Sequence, residues 1–244
     1  MKKRKYKVLL IIPAYNEEEN ILRTYQEIEE YNKKNKNPYD VIVINDGSRD
    51  KTSKICHDNN IPVIDLIHNL GIGGAVQTGY KYAYKKDYDI AVQFDGDGQH
   101  DVNYVKNIID PIKKDKADMV IGSRFVKEMD TFQSTRARRL GINIISFLMK
   151  IVTKKKIHDT TSGFRAVNKE LIKDFQESYP IEYPEPLTTA EILKKKYRVE
   201  EVPVEMKERV GGVSSIRAWK SAYYMVNVCL SLIIIGLRRY KRWH

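Results

Sequence analysis

Asp95-Gly96-Asp97 sets two carboxylates on either side of one glycine, so that both can approach a single hard cation while the glycine bends the backbone around it. Mg²⁺ or Mn²⁺ bridging to diphosphate oxygens is the chemistry this spacing suits. An EF-hand is excluded, because that loop wants glycine where His100 stands and a glutamate at its end. His100 is close enough in sequence to serve the metal or the phosphates, or to be an ordinary surface histidine. Two further polar clusters end short apolar runs: Pro13-Ala14-Tyr15-Asn16-Glu17-Glu18 and Asn45-Asp46-Gly47-Ser48. Asn16 or Asp46 taken alone is equally a helix cap, yet three such loops in succession describe one rim of an open sheet. Gly71-Ile72-Gly73-Gly74-Ala75 adds amides suited to an acidic group. It is no dinucleotide fingerprint, since Val76 occupies the last glycine position and the first turn is acidic instead of glycine-rich.

The elements that must hold these loops are legible as alternating strands and helices. Val8 to Ile12, Val41 to Ile44, Val63 to Ile67, Ile90 to Phe94 and Met119 to Gly122 read as strands. Ile21, Tyr25 and Ile28 share one helical face; Val105, Ile108, Ile109 and Ile112 share another. Residues 127–135 are polar and aperiodic and read as a loop that a ligand could order. Beyond them come a helix from Leu140 to Ile151 and strands near Phe164 to Val167 and Tyr197 to Val204. One domain is expected over residues 1–206, with an extension over 207–244.

With 244 residues, 42% hydrophobic and 31% charged, the chain can bury a substantial core. Cys56 and Cys229 lack disulfide-framework or zinc spacing, which favours a reducing compartment. Lys2 to Lys5 precede a strand and not the long apolar stretch of a secretory signal, so a cytoplasmic location is expected. The formal net charge of +11 favours nucleotide phosphates, nucleic acid or an anionic membrane leaflet. Nucleic acid is disfavoured, because the basic residues are dispersed and the strand-end loops are acidic.

Ile12-Pro13-Ala14-Tyr15-Asn16-Glu17, Asp46-Gly47-Ser48 with Asp50-Lys51-Thr52, the Gly71 to Ala75 segment, Asp95-Gly96-Asp97-Gly98-Gln99-His100, Gly122-Ser123-Arg124 and Thr161-Ser162-Gly163-Phe164-Arg165 together resemble family 2 glycosyltransferases in order and spacing. The nearest branch holds dolichol- and polyprenyl-phosphate sugar synthases and bacterial cell-wall polysaccharide transferases. The resemblance implies an α/β fold of GT-A type: a mostly parallel central sheet with helices on both faces, followed by an acceptor-binding half. It implies transfer with inversion from a nucleotide diphosphate sugar, UDP favoured, to a polyprenyl phosphate or a cell-surface polysaccharide. By that likeness Pro13, Tyr15 and Glu17 line the base and ribose pocket and Asp46 reads the base edge. Gly74 lies on the donor side, and Asp95 and Asp97 hold ribose or metal and diphosphate. Arg124 is a candidate for the donor phosphates; Arg165, Arg209 and Ser214 are candidates for the acceptor side. Glu185, in Tyr183-Pro184-Glu185-Pro186, is the candidate base for a hydroxyl acceptor, although Leu187 departs from the acidic residue common at the next position. A phosphate acceptor, already an anion, needs no strong base.

From Ala218 to Leu237 the chain is mostly apolar, and Arg238, Arg239, Tyr240, Lys241, Arg242 and Trp243 follow. A membrane-interface helix, a core or oligomer helix and a membrane span all fit this pattern. Residues 209–215 resemble a loop that covers the acceptor in lipid-phosphate relatives. Two rival functions share parts of the pattern. A nucleotidyltransferase would carry a glycine-rich basic loop where Pro13 to Glu19 is acidic. A catalytically silent sugar- or nucleic-acid-binding module would account for the charge and the tyrosines.

Overall fold

Every residue of β1 (Val8–Ala14) is buried, because this strand lies inside the sheet with helices on both of its faces. Its side chains alternate between two cores. Leu9 and Ile11 join one apolar cluster, and Val8, Leu10 and Ile12 join the other. The computed structural model describes residues 6–126, 136–207 and 218–240. In chain order the elements are β1, α1 (Ile21–Lys34), β2 (Asp40–Asn45), α2 (Thr52–Asp58), β3 (Val63–Asp65), α3 (Gly71–Lys85), β4 (Ile90–Gln93), a 3₁₀ turn (Val102–Tyr104), α4 (Val105–Lys113), β5 (Met119–Ser123), α5 (Arg136–Thr153), β6 (Arg165–Asn168), α6 (Lys169–Glu177), α7 (Pro184–Lys194), β7 (Val199–Pro203) and α8 (Ala218–Leu237).

These strands form a seven-stranded sheet ordered β3-β2-β1-β4-β6-β5-β7. Pairing is parallel except around β6, which runs antiparallel to both β4 and β5. The sheet is therefore mostly parallel, with helices on both faces, as the sequence resemblance implies. The strand expected to reach Ile67 stops at Asp65, leaving Ile67 91% exposed, because β3 is the edge strand and pairs only with β2. The strand expected from Phe164 begins at Arg165, and the one expected from Tyr197 begins at Val199. The expected loop at 127–135 lies outside the described residues.

Helices α1, α2 and α4 pack on the Leu10 face of β1, and α3, α5, α6, α7 and α8 on the Leu9 face. Close approach is built in at Gly79 of α3, where a Cβ would stand 2.2 Å from Ile11 Cγ2. Helix α8 lies against α5 and α7. It is tied there by Lys194 Nζ, which donates to Gly236 O at 2.8 Å.

Candidate active site

Parallel pairing brings the first, second and fourth strand ends to one edge. Ala14 lies level with Asn45 and Ile11 with Gln93, while the Asp46 amide donates to Ala14 O and the Phe94 amide to Ile11 O, both at 2.9 Å. Tyr15, Asp46 and Asp95 to Asp97 consequently leave the sheet on the same rim. The first two loops are sewn together by side chains. The Asn16 amide donates to Ser48 Oγ at 3.0 Å, the Glu17 amide to Thr52 Oγ1 at 2.9 Å and the Glu18 amide to Asp50 Oδ2 at 3.0 Å. In return Asn16 Oδ1 accepts from the Arg49 amide at 2.9 Å. This lacing presents Tyr15 half-exposed on the rim, while Pro13 stays buried within β1 and Glu17 accepts from Asn20 Nδ2 at 3.0 Å.

Asp46 is buried and accepts from the Leu70 amide at 2.7 Å. Burial pushes its carboxyl above the usual range, and the Leu70 and Gly71 amides pull it partly back. It thus holds the turn that enters α3. The neighbouring glycines serve packing: a Cβ on Gly73 would stand 2.2 Å from Pro180 O, and one on Gly74 2.4 Å from Leu70 Cβ. The α3 N-terminus is pressed against the segment leading into α7.

Asp97 is 9% exposed, and its Oδ1 accepts from the Gln99 amide at 3.0 Å. His100 is buried and stacked on Phe164, ring centroids 4.6 Å apart. Its Nδ1 accepts from the Asp95 amide at 2.9 Å, so the proton sits on Nε2, which faces Asp95 Oδ2 at 3.5 Å. Burial lowers its pKa to about 4, Asp97 acting the other way, and the ring is neutral near neutral pH. His100 therefore positions the Asp95 carboxylate. Gly163 leaves room for that carboxylate, since a Cβ there would stand 2.9 Å from Asp95 Oδ2 and 3.0 Å from Gln93 Nε2. Only side-chain ends would have to move. Gly163→Ala is expected to lower turnover by about 10²-fold through the displaced carboxylate. Its Tm should change by no more than about 3 °C, which a melting curve run beside the assay will check.

Glu185 occupies the first turn of α7, whose cap residue Tyr183 is held at φ 51. Burial raises its pKa and Asp95 adds to the rise, whereas Arg165, its own amide and a hydrogen bond from Gln93 oppose it. That set of neighbours brings α7 to the Asp95 rim. Arg165, 1% exposed, donates through Nε to Ser162 O at 2.6 Å and through Nη1 to Glu185 O at 2.8 Å and Thr188 Oγ1 at 3.0 Å. Its Nη2 and the Gln93 Oε1, both buried, have no hydrogen-bond partner among the described residues. Arg124 makes a two-pronged pair with Asp159, Nε to Oδ2 at 2.7 Å and Nη2 to Oδ1 at 2.8 Å, and also donates to Thr161 Oγ1 at 3.1 Å. Arg209 and Ser214 lie outside the described residues.

Sequence reasoning missed Gln93 and Asp159. Gln93 sits in an apolar strand, level with Arg165 across β4 and β6, and a polar residue inside such a run was the available signal. Asp159 left no local sign.

Among the described residues no three His, Cys, Asp or Glu side chains converge as a metal cluster. The two carboxylates at 95 and 97 nevertheless fit a cation of the Mg²⁺ type, which uses one or two protein carboxylates and takes its other ligands from substrate phosphates and water. With both ring nitrogens turned to residue 95, His100 fits as a support for the ligands and not as one of them.

An open α/β sheet with an acidic donor rim and an antiparallel strand leading to a second half defines a GT-A-type glycosyltransferase. The fold is shared with glucosyl-3-phosphoglycerate synthase of Mycobacterium tuberculosis, solved with Mn²⁺, UDP-glucose and phosphoglyceric acid. That likeness has a TM-score of 0.70 at 15% identity and covers 95% of this chain and 80% of the other. It is shared too with S. aureus TarS 1-349 in complex with UDP, at a TM-score of 0.57 and 17% identity, over 97% of this chain and 67% of that one. The chain belongs to glycosyl transferase family 2, whose profile matches residues 9–175. It is 33% identical over 217 residues to the UDP-N-acetylglucosamine–dolichyl-phosphate N-acetylglucosaminyltransferase of Methanococcus voltae, covering 81% of this chain and 84% of the relative. It is 28% identical to the undecaprenyl-phosphate mannosyltransferase of Micrococcus luteus, over 91% and 92% of the two chains. The family decides against the nucleotidyltransferase and the silent binding module.

Proposed function

We propose that the protein transfers a sugar, with inversion, from a UDP-sugar to a polyprenyl phosphate at the inner face of the cell membrane. One observation carries the phosphate acceptor: a buried arginine, Arg165, holds the backbone of the turn bearing Glu185, and its Nη2 has no hydrogen-bond partner among the described residues. A buried unpaired guanidinium donor suits an anionic oxygen. The names of the two relatives, both transferases to polyprenyl phosphates, support the same reading.

In this reading Tyr15 and the laced first loops receive the uridine, and Asp46 meets the base edge through its remaining acceptor capacity. Asp95 and Asp97 hold Mg²⁺ or Mn²⁺, which when bound stabilises charge on the departing diphosphate. His100 and Gly163 fix where the Asp95 carboxylate can point. Arg165 positions the α7 turn and lends its buried positive charge to the acceptor phosphate, whose oxygen attacks as an existing anion. Glu185, whose pKa burial raises, marks the place where a hydroxyl acceptor would instead require a base. Arg209 and Ser214 belong to the acceptor side in the same proposal.

Transfer of labelled sugar from UDP-sugars with Mn²⁺ tests this, using a short-chain prenyl phosphate in one arm and the matching prenyl alcohol in the other. Product is expected from the phosphate alone, and Glu185→Gln should retain turnover there to within about tenfold. Product from the alcohol, lost by about 10²–10⁴-fold in Glu185→Gln, would replace the lipid-phosphate acceptor with a hydroxyl one.

A further inference from the structure

Edge strand β3 is only three residues long, yet its last residue, Asp65, is tied to the rim. It lies level with Asn45, the last residue of β2, and its Oδ1 accepts from Asn45 Nδ2 at 2.6 Å. Its Oδ2 lies 2.8 Å from Nε2 of His57 on α2. Burial would raise its pKa, but hydrogen bonds from Asn45, Ser53 and His57 outweigh that and hold the carboxyl below the usual range. An ionised carboxylate can only accept, so Asp65 decides which way the buried Asn45 amide is turned.

With Nδ2 committed to Asp65, the Asn45 carbonyl faces the turn that follows β2, and its Oδ1 accepts from the Ser48 amide at 3.2 Å. Ser48 Oγ accepts in turn from the Asn16 amide at 3.0 Å. Asn16 follows Tyr15 and is held in the left-handed region at φ 56, an uncommon conformation for a residue other than glycine. One aspartate at the sheet edge is thus linked, through Asn45 and Ser48, to the backbone that carries Tyr15. The same stretch of chain clamps the Asp46 turn. The Leu66 amide donates to Asn45 O at 2.9 Å and Asn69 Nδ2 to Asp46 O at 3.1 Å. Gly47, at φ 65, lies so close that a Cβ there would stand 2.9 Å from the Asn69 nitrogen.

We propose that Asp65 is a positioning residue for the nucleotide: by fixing the Asn45 amide it sets the Ser48 and Asn16 turns, so that Tyr15 and Asp46 present a prepared pocket to a uridine. The assignment rests on the reading above that this rim receives the nucleoside. Folding has little need of the residue, since the His57 and Asp65 side chains are 62% and 37% exposed and an ion pair so placed adds little to stability. The diphosphate is a separate matter, because Asp95 and Asp97 follow β4, on the other side of β1 from β2. Asp65 therefore acts on the nucleoside half of the donor alone.

Calorimetric titration of the full chain with UDP, and separately with inorganic pyrophosphate, both with Mn²⁺, tests this. Asp65→Ala frees the Asn45 amide to turn and is expected to weaken UDP about tenfold, while pyrophosphate binds within about twofold of the wild type. Retained pyrophosphate binding also shows that the variant folds. Asp65→Asn, whose carbonyl can accept the same bond, should bring UDP back to within about threefold of the wild type. In an Asn45→Ala background Asp65→Ala should weaken UDP no further, because the amide through which it acts is gone. Unchanged UDP affinity in Asp65→Ala, an equal loss for UDP and pyrophosphate, a loss that Asp65→Asn repeats, or losses that add in the Asn45→Ala background would each overturn the proposal. A wild-type chain that does not bind UDP refutes the uridine reading itself, and the role of Asp65 falls with it.

Discussion

Asp97→Asn is expected to abolish the Mn²⁺-dependent rise in Tm that a UDP-sugar produces, and to lower turnover by about 10²–10³-fold. The substitution is chosen so that the fold survives. Asp97 Oδ1 accepts from the Gln99 amide at 3.0 Å, and an asparagine carbonyl can accept the same bond. What disappears is the negative charge that lets two neighbouring carboxylates and a diphosphate share one cation. Ligand present at about 100 times its Kd stabilises a fold by about 2.7 kcal/mol. For a chain of this size that corresponds to a rise of about 5–11 °C in the wild type, well above the error of a melting curve. The measurement is a thermal shift with UDP-sugar, run with Mn²⁺ and with chelator, beside steady-state turnover. An Asp97→Asn protein that keeps the full metal-dependent shift would remove the cation from this rim and the proposed donor site with it.

The rim was legible because each of its parts is local. An apolar run that stops at a polar, glycine-bearing turn announces a strand end, and Pro13 to Glu18, Asn45 to Ser48 and Asp95 to Gly98 each do so within a few residues. Parallel pairing then follows from the alternation of strands and helices. The antiparallel β6 was readable as a short strand but not in its placement between β4 and β5, since four residues carry no period that specifies a partner. Side-chain roles failed to show for a related reason. His100 looked like a ligand or a surface residue, and its stacking on Phe164 depends on the residue just before β6, 64 positions away, closing over it. Apolar residues at 144, 147 and 151 fit a core helix on periodicity alone; only the packing of α5 against α8 decides that this stripe faces outward. The meaning of a helix face is fixed by its neighbours, and those come from distant sequence.

Arg124 brings this limit to a measurable point. Read from sequence, an arginine after β5 is a phosphate clamp; in the fold its Nε and Nη2 grip Asp159, and the two side chains are 7% and 0% exposed. Asp159 Oδ2 also accepts the Arg124 amide at 3.1 Å, so one carboxylate ties the end of β5 to the loop that carries Gly163 and Phe164. The pair anchors the loop whose Gly163 lies against the Asp95 carboxylate. Removing one member of a buried ion pair costs about 3–5 kcal/mol, because the other charge loses its main compensation inside the protein. Asp159→Ala is accordingly expected to lower Tm by about 6–20 °C for a chain of this length. Arg124→Leu combined with Asp159→Leu should recover much of that loss, since no buried charge is then left behind. Calorimetry on Arg124→Leu, Asp159→Leu and the double variant gives the coupling directly. If Arg124 serves chiefly as a ligand for the donor diphosphate, the outcome inverts: Arg124→Leu raises the KM for the UDP-sugar with Tm unchanged, and Asp159→Ala melts as the wild type does.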